Sequence, residues 1–286
     1  MARVHFLTFG DGSPQTRGAA TRLQREALRS GVFTTIDSYH LKRIRDQYPA
    51  FWKQHGSLLL SAKRGLGYFL WKPYLISAKL GEIGEHDFLV YADAGCEMPA
   101  GTTSELFDLL PTEPGIDISV VPLEPFHTME RWTNNCCLMH LDGARKYSNR
   151  PQIAATFMFI RNTKASRNLA ASWLEWSVFN DYCCLVDRPG ELESAVFSEH
   201  RWDQSIFSLL VYDFEQKGAI GLKRIDIKRT SGAESAIVGT RNRTRFRSIG
   251  ANKYKRKLLS KCYSAAVRFF WNEEKYRADL RESLRK

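Results

Sequence analysis

A short apolar run, Phe88-Leu89-Val90-Tyr91, leads straight into Ala92-Asp93-Ala94-Gly95-Cys96-Glu97. A continuous apolar run of this length reads as a central parallel strand. In open α/β sheets, ligands sit beyond the carboxyl ends of the strands. A carboxylate at that place suits a hard divalent cation, Mg2+ or Mn2+, which takes oxygen ligands. Such a cation acts as a Lewis acid on the charge that grows on a leaving phosphate. The plainer reading is that Asp93 caps a turn, and the strand-acid-glycine pattern alone leaves both open.

Two further segments carry chemistry-bearing residues. In Lys63-Arg64-Gly65-Leu66-Gly67-Tyr68-Phe69-Leu70-Trp71-Lys72-Pro73-Tyr74, two glycines let backbone approach a ligand closely. Arg64 and Lys72 there can meet phosphate, and the aromatic side chains either stack on a base or sugar or belong to the core. The Gly-Lys-Ser/Thr of a Walker loop is absent. In Ser198-Glu199-His200-Arg201-Trp202-Asp203-Gln204-Ser205, a polar stretch precedes an apolar helix. Asp203 either caps that helix, or Asp203 or Glu199 takes the proton of an acceptor hydroxyl, with His200 on metal or phosphate. Trp132 reads as a sugar-stacking platform or as a packed ring. His140 has no partner recognisable from the sequence.

The elements that must position these residues alternate. Val4–Phe9 reads as a buried strand, residues 16–30 as a helix, and Val32–Ile36 as a second strand, which together form a βαβ unit. A helix is expected over 73–82, beginning at Pro73. Strands are expected over 88–91, 116–121 and 155–160, and helices over 166–180 and 205–211. Alternation of this kind predicts the α/β class with a mostly parallel sheet.

Six cysteines are present, without the Cys-x-x-Cys spacing of zinc sites, and are read as reduced, mostly buried thiols. The net charge of +11 is unevenly placed: residues 241–286 hold 15 Lys and Arg against 4 Asp and Glu, so the first 240 are neutral. The expected organisation is a catalytic domain over 1–240 and a basic extension over 241–286. Apolar residues from Leu258 to Trp271 recur every three or four positions behind Lys253–Lys257, which predicts a basic amphipathic helix. Such a helix rests on an anionic membrane through residues 253–271, or packs its apolar face on the domain. No run of about 18 apolar residues exists and the first apolar run is too short for a signal peptide. The expectation is a cytoplasmic protein, peripheral on the inner face of the membrane. The tail lacks a zinc finger, helix-turn-helix or RNA-binding signature, so nucleic acid is not the expected partner.

Taken in order, Gly65-x-Gly67-Tyr68-Phe69-x-Trp71-Lys72-Pro73-Tyr74, Tyr91-x-Asp93-Ala94-Gly95-Cys96 and His200-Arg201-x-Asp203-Gln204-Ser205-Ile206 resemble GT-A type glycosyltransferases, the nucleotide-diphospho-sugar transferase superfamily. The pattern is similar to bacterial and viral surface-polysaccharide enzymes of that group. The resemblance runs from the first strand to about residue 212. It implies a Rossmann-like GT-A fold and transfer of sugar from a UDP- or GDP-sugar to a glycan or lipid-linked acceptor, assisted by Mn2+ or Mg2+. Asp93 matches the first acid of the Asp-x-Asp signature, on ribose or metal. Gly95 stands in the second acid's place, so Glu97 becomes the candidate second ligand. Tyr91 and Gly95 complete the donor loop, Thr8 falls where the base is contacted, and Arg22 and Lys72 are diphosphate partners. Asp203-Gln204 matches a pair facing acceptor or transferred sugar, with Asp203 or Glu199 catalytic and Trp132 and His200 beside the acceptor. Gly95 also keeps open an inactive GT-A subunit that binds a partner.

Overall fold

Val4–Phe9 forms β1, with all six residues buried, as a strand covered on both faces requires. The computed structural model describes residues 2–241 except 63, 102, 141–143, 189–191 and 227–235, together with 282. After β1 come α1 (Pro14–Ser30), β2 (Thr35–Tyr39), α2 (Leu41–Gln47), α3 (Pro49–Ser61) and the single turn α4 (Gly65–Tyr68). Next are α5 (Trp71–Glu82), β3 (Phe88–Ala92), α6 (Thr103–Leu109), β4 (Ile118–Val120) and α7 (Met129–Trp132). The chain continues with α8 (Asn135–His140), β5 (Phe157–Arg161), α9 (Lys164–Tyr182), α10 (Asp203–Gln216) and β6 (Leu222–Arg224). The strands make a six-stranded, mostly parallel sheet in the order β2-β1-β3-β5-β4-β6, flanked by helices. The expected α/β class is found. β4 runs antiparallel to β5, with Ile118 opposite Ile160, and parallel to β6, with Val120 opposite Arg224.

Two compact units are distinguished. The first comprises Met1–His5, Ala62–Tyr91 and Leu109–Asp226. Within it α9 packs on α5 and α10, and Trp173 meets Phe207 at 4.8 Å between ring centroids. Burying a ring such as Phe207 contributes about 1.5–3 kcal/mol. α9 starts cleanly because Thr163 and Ser166 form a reciprocal capping box.

The second unit comprises Phe6–Ser61, Ala92–Asp108 and Ile227–Lys286. Ser13 caps α1 by accepting from Thr16 N–H at 3.1 Å, Pro14 supplies the first turn, and Gly31 at φ 69° ends it. A Cβ on Gly10 would sit 2.5 Å from the Ala20 Cβ and 2.6 Å from the Thr16 carbonyl. Glycine is therefore required where β1 exits past α1.

β2 begins three residues later than the sequence suggests, because Phe33 packs on Phe6 at 5.1 Å before strand pairing starts. Residues 41–61, left unassigned by pattern, are the helices α2 and α3. The segment 253–271 lies outside the described residues, as does nearly all of the extension over 241–286. Among the described residues no helix is long and apolar enough to cross a membrane.

Candidate functional site

In the second unit, β3 ends at Ala92 and the chain turns at once. Cys96 N–H donates to the Asp93 carbonyl at 2.9 Å, closing a β-turn over Asp93–Cys96. Arg22 on α1 fixes this turn: its Nη2 donates to the Ala94 carbonyl at 3.0 Å and the Cys96 carbonyl at 2.6 Å. Thr240 Oγ1 donates to the Gly95 carbonyl at 3.1 Å. Glu26, four residues after Arg22, lies 3.6 Å from its guanidinium and accepts from Met98 N–H at 2.9 Å. Burial pushes the Arg22 pKa down, against the pull of Glu26 and Glu97. Ala92, Ala94, Cys96 and Glu97 are buried around this turn, while Asp93 and Gly95 are half-buried.

Three expected donor or metal residues take other places. Thr8 is fully buried and donates to the Ala92 carbonyl at 2.7 Å, stitching strand ends together instead of facing a base. Arg22 is buried with both Nη2 bonds on turn carbonyls, which makes it a residue that positions the loop. Glu97 is fully buried, its backbone paired with Val238 in both directions, which removes it as a ligand for a solvent-borne cation. Replacing Arg22 by Met leaves the Glu26 carboxylate buried without its cation. The expected cost is about 3–5 kcal/mol, measured as a lower urea midpoint with an unchanged m-value.

In the first unit, Lys72 and Asp203 form a buried ion pair, Nζ to Oδ2 2.9 Å, with side chains 3% and 5% exposed. Lys72 also donates to the Ala155 carbonyl at 3.1 Å and lies 5.2 to 5.8 Å from the ring centroids of Phe69, Trp71 and Tyr91. Tyr91 is itself fully buried in that position. Asp203 opens α10, where the helix dipole favours a carboxylate. Its own carbonyl is held by Trp173 Nε1 at 2.9 Å. Gln204 follows, accepting from Ala155 N–H at 3.3 Å and donating to Gln152 Oε1 at 2.6 Å. Gln152, fully buried, donates onward to Ser205 Oγ and the Trp132 carbonyl, both at 2.9 Å.

Backbone strain gathers around this pair. Leu66, Tyr68 and Phe69 have φ of 51°, 52° and 66°, and Trp202, immediately before Asp203, has φ 48°. Left-handed non-glycine residues cost on the order of 1–3 kcal/mol each and concentrate at functional sites. A Cβ on Gly65 would lie 2.5 Å from the Phe69 ring, and the Gly65 carbonyl accepts from Trp71 Nε1 at 2.9 Å. The Trp202 ring packs 5.9 Å from Phe69 and under the Arg64 guanidinium at 5.2 Å. Arg64 pairs with the half-buried Glu199 at 3.2 Å.

The expected acceptor residues divide. Gln204 stands beside Asp203. Trp132 is half-buried with the Arg201 guanidinium 4.0 Å over its ring. His200 is internal: Nδ1 accepts from Asn134 N–H at 3.2 Å and Nε2 meets the Cys184 carbonyl at 3.0 Å. These partners put its proton on Nε2 and exclude it from metal and acceptor.

Burial pushes the His200 pKa down to about 4. A group whose folded pKa lies below the unfolded 6.5 gives stability that is complete above pH 6.5 and is lost as pH falls toward 4. The loss amounts to about 3 kcal/mol over that window. Urea unfolding at several pH values checks this, and His200→Gln is expected to flatten the slope between pH 6.5 and 4.

No family model matches the chain, and no curated protein matches it. Among solved structures it is similar to a glycosyltransferase involved in glycosylation of the major capsid of PBCV-1. That likeness has a TM-score of 0.47 and 8% identity, covering 91% of this chain and 99% of that one. It is also similar to mouse xyloside xylosyltransferase 1 in its apo form, with TM-score 0.41, 13% identity and coverage of 78% and 85%. Likeness to the apo-form glycosyltransferase GlyE of Streptococcus pneumoniae TIGR4 has TM-score 0.34 and 11% identity, over 78% of this chain and 45% of that one. All three scores are under 0.5, so the chemistry is taken from the chain's own residues.

Proposed function

We propose that the protein is a GT-A type glycosyltransferase that moves a sugar from a UDP- or GDP-sugar to a glycan or lipid-linked acceptor. The observation that carries the reading is the half-buried Asp93 carboxylate at the carboxyl end of β3, on a turn whose carbonyls are clamped by Arg22 and Thr240. A fixed carboxylate at a strand end is where an α/β sheet binds phosphorylated ligands. With Glu97 buried, Asp93 is the carboxylate we assign to a cation. One carboxylate is sufficient for Mg2+ or Mn2+, since such ions are held by one or two carboxylates with substrate phosphates and water completing the shell. Bound there, the cation would neutralise charge on the departing nucleoside diphosphate.

The transfer breaks the bond between the anomeric carbon and the β-phosphate oxygen and forms one to the acceptor oxygen. The chain's own part is to hold the pieces. Asp93 orients the donor through ribose or metal. Asp203 and Gln204, locked by Lys72 and Gln152, position the start of α10 on which the transferred or acceptor sugar would rest. Asp203 acts here as a positioning carboxylate, because its ion pair with Lys72 is already committed. Glu199, half-buried and paired with Arg64 near the surface, is the proton acceptor in this scheme. Contact of residues 253–271 with an anionic membrane belongs to the same proposal and would bring the enzyme to a lipid-linked acceptor.

The test is release of nucleoside diphosphate from a panel of UDP- and GDP-sugars with Mn2+, Mg2+ or chelator. Cation-dependent release from at least one donor is expected. Nucleotide binding with no release from any donor, in the presence of varied glycan acceptors, would point to an inactive binding subunit.

A further inference from the structure

We propose that Cys136, His140 and Cys183 form a Zn2+ site in the first unit. Their ligand atoms all lie within 4.8 Å of one another. Two thiols and an imidazole are the donor set of a borderline-soft, tetrahedral cation; Mg2+ and Mn2+ prefer oxygen.

The fold builds this cluster from two helices. Cys136 and His140 are four residues apart on α8, so they share a face. Cys183 is delivered by an abrupt change at the end of α9. The helical path breaks at Phe179, and Asn180, Asp181 and Tyr182 follow with φ of 42°, 53° and 62°. Three successive left-handed residues without a glycine are costly, and they stand directly before Cys183. The His140 ring is held edge-on by Phe179 at 5.2 Å and lies 6.5 Å from Trp176. Cys136 and His140 are half-buried and Cys183 is buried, which gives a cation an entry on one side and a dry wall on the other.

A second thiol layer lies behind. Cys184 Sγ is 3.7 Å from Cys183 Sγ and bonds in turn to Cys137. None of these cysteines is in a disulfide. Thiols bind such a cation as thiolates. Zn2+ supplies the opposing charge. Two thiol protons pass to solvent, the imidazole binds neutral, and two thiolates balance the cation. Water takes the fourth position.

The site has a consequence for α10. His200 bridges the two segments that the metal would join: it accepts from Asn134, just before α8, and meets the carbonyl of Cys184. Asn134 also donates to the Val186 carbonyl at 3.3 Å. Zinc would therefore staple the base on which the strained Trp202–Asp203 step rests, three residues beyond His200.

The experiment uses the full chain, reduced, stripped with chelator and titrated anaerobically with Co2+, then Zn2+. Expected is a single equivalent of Co2+ with a sulfur-to-metal charge-transfer band and the intense visible bands of four-coordinate Co2+, all displaced by Zn2+. His140→Ala, at a half-buried position, is expected to fold by circular dichroism and to weaken Co2+ binding by more than the roughly 10–100-fold lost with an outer-sphere partner. Cys136→Ser should lose much of the charge-transfer band. A cation bound by Asp93 gives no sulfur band, so the two sites are read separately. Three results would overturn the proposal: no sulfur band in the wild type, Co2+ affinity in both variants unchanged from the wild type, or a Cys136–Cys183 disulfide in protein isolated without reductant and lacking metal.

Discussion

Asp93→Asn is expected to lower turnover of a nucleotide sugar by about 10²–10³-fold in kcat while the protein stays folded. The backbone bonds of the turn do not run through the carboxylate. The turn is held by the Asp93–Cys96 backbone bond and by Arg22 and Thr240 acting on carbonyls, and asparagine keeps all of these. What asparagine removes is one negative charge at the end of β3. If that charge holds a cation against the donor diphosphate, its loss falls on charge developed in the transition state, and kcat drops more than KM rises. Asp93→Glu should recover little, since one extra methylene shifts the carboxylate off a turn that cannot follow. Steady-state kinetics with the best donor, together with a melting curve, reads both quantities. Wild-type kcat in Asp93→Asn would remove this carboxylate from the mechanism.

The second large effect concerns Lys72 and Asp203. Lys72→Met takes its cation from the buried Asp203 carboxylate, and Asp203→Leu takes its anion from the buried Lys72 ammonium. Each is expected to cost about 3–5 kcal/mol, or about 10 °C in Tm at roughly 2–4 °C per kcal/mol for a domain of this size. The double variant should be less destabilised than the sum of the two, because no stranded charge remains. Both side chains are almost fully screened from water, which makes the coupling far larger than at the exposed Lys42–Asp46 pair. Additive losses would mean the two groups do not sense each other. Activity tells the rest: the double variant is expected to stay folded and inactive, because α10 then opens without its acid.

Part of this was readable in the residues. The apolar run at 88–91 announced a buried strand, and Asp93 behind it announced the turn, because those signals are local. Gly31 marked a helix end for the same reason, whereas α5 begins at Trp71, two residues before the expected Pro73. Burial was not readable. Glu97 and Asp93 are both acids two positions from Gly95, yet one is fully enclosed and the other half-exposed, a difference that only tertiary packing sets. Thr8 looked like a strand-end contact and proves to be a rivet between β1 and β3. His200 sits in a polar stretch but has both ring nitrogens engaged internally. The Lys72–Asp203 pair joins residues from two separate motifs, and neither motif names its partner. His140 showed no partner in the sequence, although Cys136 stands one helical turn before it. Completion of the cluster by Cys183 required the left-handed path after Phe179, which Asn180 and Asp181 tolerate but do not dictate.

The account turns on whether Asp93 and a divalent cation together grip a nucleoside diphosphate. The most direct measurement is calorimetric titration of UDP and GDP into wild type and Asp93→Asn, each with Mn2+ and with chelator. Binding of one nucleotide by the wild type with Mn2+, weakened at least about tenfold, or 1.4 kcal/mol, by chelator and equally by the substitution, is the expected result. Nucleotide binding that ignores both the cation and the substitution, or no binding of either nucleotide, would contradict it.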